Sequence, residues 1–580
     1  MQDAVSERPW IRAAIATCRP HLMVAAGFSA IGNLLYLSPS LFMLQVYDRV
    51  VPTGGIATLV AIGLLTLAAL AAMATFEWLR SRVLARASLR LEAQLTGPAL
   101  DLALRHSGLS RLQRAEVVRD VDTLRQGIAS PAIVALLDLP WTPIYIIVAF
   151  MLHWSLGVMT IGAAGLLLVL ALANERATSR PMKLAGDAAS IAHQRQAHAT
   201  AHASEVRALG MARALVSLQM IERSTANTLQ MRASFAANTY GGWIKFVRLA
   251  LQSAVLGLGA VLVIANDISA GSMIAASLLM ARALAPIEQV VGAWKTILQS
   301  RIAFTRLDAA FGVRATHVPT QLPAPTGTIQ VENLTVLASG TERVALADAS
   351  FSVTPGEVIG IIGPSGSGKS TLIRAMAGGC EAARGHVRFD GVSRADWDGE
   401  ALAAHIGFMP QDYVLFAGSV KENISRFAGV LGGDPAAIDR DVLAAAQAVG
   451  AHEMIGRLPM GYDTQIGGAG GVGLSAGQAQ RIALARALYG NPAILLLDEP
   501  TANLDAEAQQ CFASLLGDLR QRGVTILFAS HSMDMLAAAD KLLVMAAGRV
   551  QRLAPRAELR PAESEAPVTP ASFKTRVAFQ

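Results

Sequence analysis

Charge is scarce in this chain of 580 residues: Asp, Glu, Lys and Arg make up only 16% of it and hydrophobic residues 53%. Soluble globular proteins average about 25% charged residues, so this is not the balance of a soluble enzyme. Cysteine is scarcer still. Cys18, Cys380 and Cys511 are too few and too scattered for a disulfide framework or a zinc site, and they fit thiols in a reducing compartment. The net charge of +6 could suggest nucleic acid, but no dense Lys/Arg block with interleaved aromatics is present, which excludes a nucleic-acid face. Basic residues instead stand beside apolar runs, as Arg80, Arg82, Arg86 and Arg90 do. The length exceeds what one compact core holds, so two or more domains are expected.

The mean hydropathy of +0.41 hides a split between an apolar first half and a second half that reads as a soluble α/β protein. Crossing the hydrocarbon core takes about 20 mostly apolar residues. Six segments qualify: 22–46, 56–76, 131–151, 156–173, 246–265 and 273–291. Short links join them in pairs, whereas the connections 77–130 and 174–240 are long, polar and helix-prone. Lys and Arg are concentrated in residues 1–20, in both long connections and after residue 291. The short turns near 50–55, 153–155 and 266–271 hold only Arg49 beside them. The positive-inside rule then puts both termini and both long connections in the cytoplasm. The basic start followed by apolar residues superficially resembles a secretion signal. The run is long enough to span and lacks a clean cleavage site, so it reads as a retained first helix in membrane lipid. Asp138, Pro140 and Pro143 interrupt segment three, and Arg282, Pro286 and Glu288 interrupt segment six. Asp138 and Glu288 are expected at helix ends, in water or at the headgroups.

Residues 318–328 are rich in Pro, Gly and Thr and read as a linker. Beyond them β-branched runs alternate with helical patterns over 329–556, and residues from 557 on read as a disordered tail. Gly363-Pro364-Ser365-Gly366-Ser367-Gly368-Lys369-Ser370 fits G-x-x-x-x-G-K-[ST] at every position, between a buried-strand run and a helix start that continues with Thr371. Such a loop wraps backbone N–H groups around phosphate. Lys369 adds a positive charge at the β- and γ-phosphates of ATP, and the Ser370 hydroxyl is a ligand for Mg2+. An apolar strand at 494–497 ends in Asp498 and Glu499, the first suited to the Mg2+ shell and the second to polarising the attacking water.

Leu474-Ser475-Ala476-Gly477-Gln478 resembles the ABC signature LSGGQ, with Ser475 placed to cap the following helix. The resemblance implies that this motif faces the nucleotide held by the other subunit. By the same resemblance Gln411 is the glutamine that senses Mg2+ and contacts the membrane domain, and His531 is the switch histidine at the γ-phosphate. Asn503-Leu504-Asp505 is similar to the D-loop, with Asp505 its acidic residue. The implied fold is a multidomain membrane protein. An all-α exporter-type ABC transmembrane domain of six helices (21–317) precedes an α/β P-loop nucleotide-binding domain (329–556).

The stretches 41–52 (LFMLQVYDRVVP), 137–145 (LDLPWTPIY) and 205–211 (EVRALGM) are similar to type I secretion ATPases, particularly the protease-exporter subgroup. That resemblance implies a homodimer in the bacterial inner membrane exporting an unfolded polypeptide, such as an RTX protease or S-layer protein. It also implies a periplasmic membrane-fusion adaptor and a TolC-like outer-membrane channel as partners. Residues 1–20 leave no room for the peptidase domain of leader-cleaving relatives. Two alternatives stay open: an exporter of lipid, peptide or drug on the same frame, and a membrane-anchored ATPase that moves no cargo.

Three departures from the family pattern carry expectations. Ala338 stands where an adenine-stacking aromatic is usual, so stacking is lost or supplied elsewhere. Ala476 replaces a signature glycine. Residues 467–471 lack the acidic residue frequent in relatives and predict a flexible loop.

Overall fold

A computed structural model describes residues 10–105, 111–312, 322–338, 343–467, 471–504 and 506–559. Asp505, residues 318–321 of the linker, residues 468–470 of the glycine-rich loop and residues 560–580 of the tail lie outside them. The chain divides into two compact units, Met1–Ala315 and Thr316–Gln580.

The first unit is helical. Among the described residues, six helical stretches, two of them broken into shorter helices, are long and apolar enough to cross a membrane: Ile11–Thr53, Ile56–Arg105, Pro131–Leu152, Trp154–Ala201, Ala212–Ile264 and Ala270–Gly292. The helix Ile56–Arg105 has 50 residues, about 75 Å at 1.5 Å per residue, far more than a bilayer core requires. None of its most apolar window is buried, as a lipid-facing stretch requires. Trp154–Ala201 and Ala212–Ile264 run antiparallel, joined through the short helix Ala203–Ala208. Far from the apolar windows they are tied by polar contacts, with Gln219 Nε2 donating to Ala192 O at 2.8 Å and Arg223 to Gln196 at 3.0 Å.

Proline corrects the reading of two segments. The first run is not one helix over 22–46. A helix begins at Trp10 and stops at Leu35, and a second runs Ser38–Gln45 with Pro39 in its first turn. Proline has no N–H to bond back to the preceding turn, so Pro39 fits a first turn where no such bond is needed, whereas Pro20, Pro98, Pro181 and Pro286 lie inside continuous helices. The third segment splits likewise at the 3-10 turn Leu139–Trp141, which contains Pro140, into Pro131–Asp138 and Thr142–Leu152. Residues 10–20 are no separate segment. Ile11, Ala14 and Cys18 are buried against Leu91, Leu95, Ala99, Val121, Leu307 and Phe311.

The stretches 41–52 and 137–145 acquire physical roles here. A π-helical turn, Val46–Val50, sets Asp48 against the start of Ala270–Gly292. The Asp48 carboxylate accepts from Gly271 N at 2.8 Å and from Ser269 Oγ at 2.5 Å, placing negative charge at a helix N-terminus. A Cβ at position 271 would lie 2.6 Å from Asp48 Oδ1 and 2.7 Å from Leu44 O, so only glycine allows this approach. Thr142 Oγ1 donates to Ala283 O at 3.0 Å, and Tyr145 OH donates to Asn33 O at 2.7 Å.

Asp138 ends its helix and Glu288 lies near the end of Ala270–Gly292 with its side chain 36% exposed, as expected, but each is paired with an arginine. Arg80 Nη1 lies 3.0 Å from Asp138 Oδ1, both side chains only 12–13% exposed. Asn33 Nδ2 donates to the same carboxylate at 2.8 Å, and Ser29 Oγ donates to it as well. Glu288 pairs with Arg248 at 2.8 Å. The reason is reach: a long guanidinium on a neighbouring helix neutralises a carboxylate that would be costly alone. Asp138→Ala should therefore destabilise the protein by about 3 kcal/mol, since it strands Arg80 without its counter-charge. Removing both charges as Arg80→Leu/Asp138→Ala should recover part of that loss. Thermal unfolding in detergent measures it, and a double variant no more stable than Asp138→Ala would refute the pairing argument.

The second unit is α/β. Its larger sheet uses β3 (Val358–Ile362), β6 (Ile406–Met409), β9 (Ile494–Asp498), β10 (Thr525–Ala529), β11 (Lys541–Ala546) and β12 (Arg549–Pro555). The order is β12-β11-β3-β10-β9-β6, parallel apart from β12 at the edge. Every residue of β9 and β10 is buried, as expected of parallel strands covered on both faces. A smaller antiparallel sheet pairs β1 (Ile329–Leu337), β2 (Val344–Val353), β4 (Arg384–Phe389) and β5 (Val392–Ser393) in the order β2-β1-β4-β5, and β7 (Gly418–Ser419) pairs with β8 (Gln465–Ile466). The chain after β12 forms a 3-10 turn, Arg556–Leu559, so order extends past residue 557.

Candidate functional site

The register of the large sheet aligns the carboxyl ends of four strands. Asp498 on β9 pairs with Ala529 on β10, Ala529 with Ile361 on β3, and Leu497 with Met409 on β6. Loops leaving these ends meet outside the sheet, where ligands of open α/β folds bind. A cavity of about 440 Å³ opens there. Its lining brings together Ser365 to Thr371, Gln411, Glu499 and His531, contributed by loops after four different strands. Gly363 and Pro364 begin the first loop behind it. Leu474 to Gln478 are not part of the lining.

The loop after β3 is held by close contacts. A Cβ at Gly363 would lie 2.2 Å from Met545 O, so a larger residue would push β3 away from β11. Lys369 opens the helix Lys369–Ala377 and is 6% exposed. Its Nζ donates to Gly363 O at 2.7 Å and to Pro364 O at 3.2 Å, which holds the cation inside the loop facing the cavity. Backbone N–H groups at a helix start together with a fixed ammonium group make a receptor for phosphate.

The two carboxylates that end β9 have opposite surroundings. Asp498 is 2% exposed, and its Oδ1 has no hydrogen-bond partner among the described residues. Burial pushes this carboxyl above the usual carboxylate range, and the Glu499 charge adds to that. The Ser370 hydroxyl and the Arg374 and Lys369 charges act against it. A buried carboxylate oxygen without a donor, beside a serine hydroxyl, is a donor set that suits a hard cation. Glu499 leaves the strand with φ of +50°, a conformation uncommon outside glycine, and its N–H is fixed by Ala529 O at 3.0 Å. That turn carries its carboxylate to the cavity wall, with Oε1 3.5 Å from His531 Nε2.

Ser475 caps the helix Ala476–Leu488 in a reciprocal box. Its Oγ accepts from Gln478 N at 3.2 Å, and Gln478 Oε1 accepts from Ser475 N at 2.9 Å. The small residues beside the cap leave its face open to an anion, although it belongs to no cavity with Lys369 in this chain.

Sequence reasoning missed several residues. Val344, Ala345, Ala547 and Gly548 form the remaining cavity wall, whereas Ala338, aligned with the usual aromatic, is not in the lining. Tyr413 OH donates to Ala476 O at 2.8 Å, which ties the segment after Gln411 to the start of the signature helix. Gln480, buried on that helix, bonds the backbone after Glu499. Nothing local marks these residues, since each acts on a segment tens of residues distant.

Comparison with known proteins agrees with this geometry. The family profile described as ABC transporter matches residues 346–502, and that described as ABC transporter transmembrane region matches 22–286. The chain is 39% identical over 561 residues to the type I secretion system ATP-binding protein PrsD of Rhizobium meliloti, covering 95% of each chain. It is 29% identical to the cyclolysin secretion/processing ATP-binding protein CyaB of Bordetella pertussis, over 90% of this chain and 73% of the other. The structure of a bacterial Atm1-family ABC exporter with ATP bound superposes with a TM-score of 0.79 at 22% identity, covering 94% of this chain and 96% of the other. At that identity the likeness is one of fold.

Proposed function

The chain belongs to the ABC transporters, among the type I secretion ATP-binding proteins, and on that premise we propose that it works as a homodimer driving an unfolded polypeptide out of the cell. It is a multi-pass membrane protein that couples ATP hydrolysis to export. The finer reading places it in the inner membrane, with the nucleotide-binding unit and both termini in the cytoplasm. A periplasmic adaptor and an outer-membrane channel would complete the path. The cargo would be a secreted protein of the RTX protease or S-layer kind.

One observation carries the homodimer. A single chain brings Lys369, Gln411, Glu499 and His531 to one cavity, yet none of Leu474 to Gln478 lines it. A nucleotide site that needs both parts is incomplete without a second copy, and a two-fold pair completes two sites at once. ATP bridging the two copies favours their closed arrangement, and hydrolysis removes that bias.

Within each site the roles follow from position. Lys369 and the loop 363–370 hold the phosphates. Ser370 and Asp498, with Gln411 at the wall, would hold Mg2+, which supplies positive charge to the phosphate oxygens when bound. Glu499 orients the attacking water, and His531 reaches the γ-phosphate. Ser475 offers its capped helix start to the nucleotide of the partner subunit, beside Ala476 and Gly477. Asp505 is assigned to the D-loop by its motif alone.

Deleting the gene and comparing secreted proteins by mass spectrometry tests the export reading. The expected result is loss of one large extracellular polypeptide, restored by a plasmid copy. An unchanged secretome with altered lipid content or drug sensitivity would move the assignment to the other exporter class.

A further inference from the structure

We propose that Gln480 is a positioning residue for Glu499, and that its single amide group holds the turn on which the carboxylate is mounted. Gln480 lies on the helix Ala476–Leu488 and is 1% exposed, with Ile482, Ala483 and Leu484 buried after it. Its Nε2 donates to Pro500 O at 2.7 Å and, with longer reach, to Glu499 O at 3.4 Å. Its Oε1 accepts from Asn503 N at 2.9 Å. Both ends of the amide are therefore spent on one five-residue turn.

A buried glutamine is not the default at such a position. It loses rotamer freedom and hydration, and an apolar residue of the same size would pack without either loss. Its bonds have to offset those costs, and all of them go to the backbone around Glu499. That backbone needs holding. Glu499 sits at φ +50°, with its N–H donating to Ala529 O at 3.0 Å on the sheet side and its carbonyl accepting from Ala502 N at 3.3 Å within the turn. Gln480 adds the side-chain restraint, from a separate helix, at Pro500 O and Asn503 N. Because a residue held in a sparsely populated conformation persists only when its surroundings over-determine it, the amide joins these backbone bonds in setting where the carboxylate points.

The same turn touches the signature. A Cβ at Gly477 would lie 3.0 Å from Asn503 O. Gln480 thus binds the helix that carries Ser475 and Gly477 to the turn that carries Glu499, within one chain. In a homodimer this makes the partner's nucleotide, seated on the signature, a neighbour of this chain's own carboxylate turn.

The inference rests on reading Glu499 as the carboxylate that acts on water. The test uses the full-length chain in detergent or lipid discs with ATP and Mg2+. Gln480→Met keeps the volume and removes the amide, and Gln480→Asn keeps the amide but shortens its reach. Both should lower kcat, Met by tenfold or more on the order expected for a misplaced catalytic group, and leave KM for ATP within about twofold. Adding Gln480→Met to Glu499→Gln should lower the residual rate no further, because both changes act on the same step.

A role in folding alone would instead change the melting temperature and the active fraction and leave kcat per folded site intact. The inference is overturned by a Gln480→Met enzyme of normal kcat, or by losses that add in the double variant. If Gln480→Met does not fold, Gln480→Asn decides, and normal kcat there overturns it equally. Normal turnover in Glu499→Gln would sink the reading of Glu499 itself, whereas an inactive Glu499→Gln beside a normal Gln480→Met sinks only this inference.

Discussion

Glu499→Gln is expected to bind ATP with wild-type affinity and to hydrolyse it slower by a factor of about 10² to 10⁴, the usual contribution of a positioned general base. The geometry separates this residue from its neighbour. Asp498 ends β9 fully buried, while Glu499 turns out of the strand at φ +50° and reaches the cavity wall with its side chain 24% exposed. Glutamine has the same shape and can still contact His531 and the turn, so fold and nucleotide affinity should persist. What it lacks is a basic oxygen for the proton of the attacking water. Bound ATP then stays intact, and the variant should elute as a closed dimer in the presence of ATP and Mg2+. Single-turnover hydrolysis with size-exclusion chromatography measures both effects. Turnover within a few-fold of wild type would take Glu499 out of the role assigned to it.

The parts of this protein that could be read from its sequence are those whose physics is local. The loop 363–370 is contiguous because it is one turn between one strand and one helix, and the signature is one helix cap, so the motif and its structure coincide. The spanning helices follow from apolar length alone. What stayed hidden depends on partners far along the chain. Asp138 looked solvated because Arg80, 58 residues earlier, could not be placed beside it until two helices were packed. Gln480 is one polar residue in a helical run, and its partner lies 20 residues later at Pro500. The second cavity wall, Val344 with Ala345 and Ala547 with Gly548, forms where β2 and the β11–β12 turn approach, since Ala347 N donates to Gly548 O at 2.7 Å. The helix breaks at Leu35 and Leu139 were marked by Pro39 and Pro140. Hydropathy averages over such residues, so Pro39 left the first segment continuous, while Pro140 was visible as an interruption of the third.

Lys369→Ala should produce the opposite pattern, losing affinity before chemistry. The Lys369 ammonium group is held at Gly363 O and Pro364 O, inside the loop and beside the phosphate cradle. A hydrogen bond to a charged group contributes about 1.5–3 kcal/mol, so truncation should weaken ATP binding by roughly 10- to 150-fold. Alanine is the best helix former, and position 369 is the first residue of its helix, so the fold should tolerate the change with little shift in melting temperature. The glycine-rich backbone and the helix N-terminus remain, and some binding should survive at high ATP. Hydrolysis in this variant should rise with ATP well beyond the wild-type saturating range, whereas Glu499→Gln should stay slow at any concentration. Calorimetry with ATP and Mg2+ gives the affinity directly. If it is unchanged in Lys369→Ala, the lysine does not act on the phosphates, and the charge they meet must come from another group on the cavity wall.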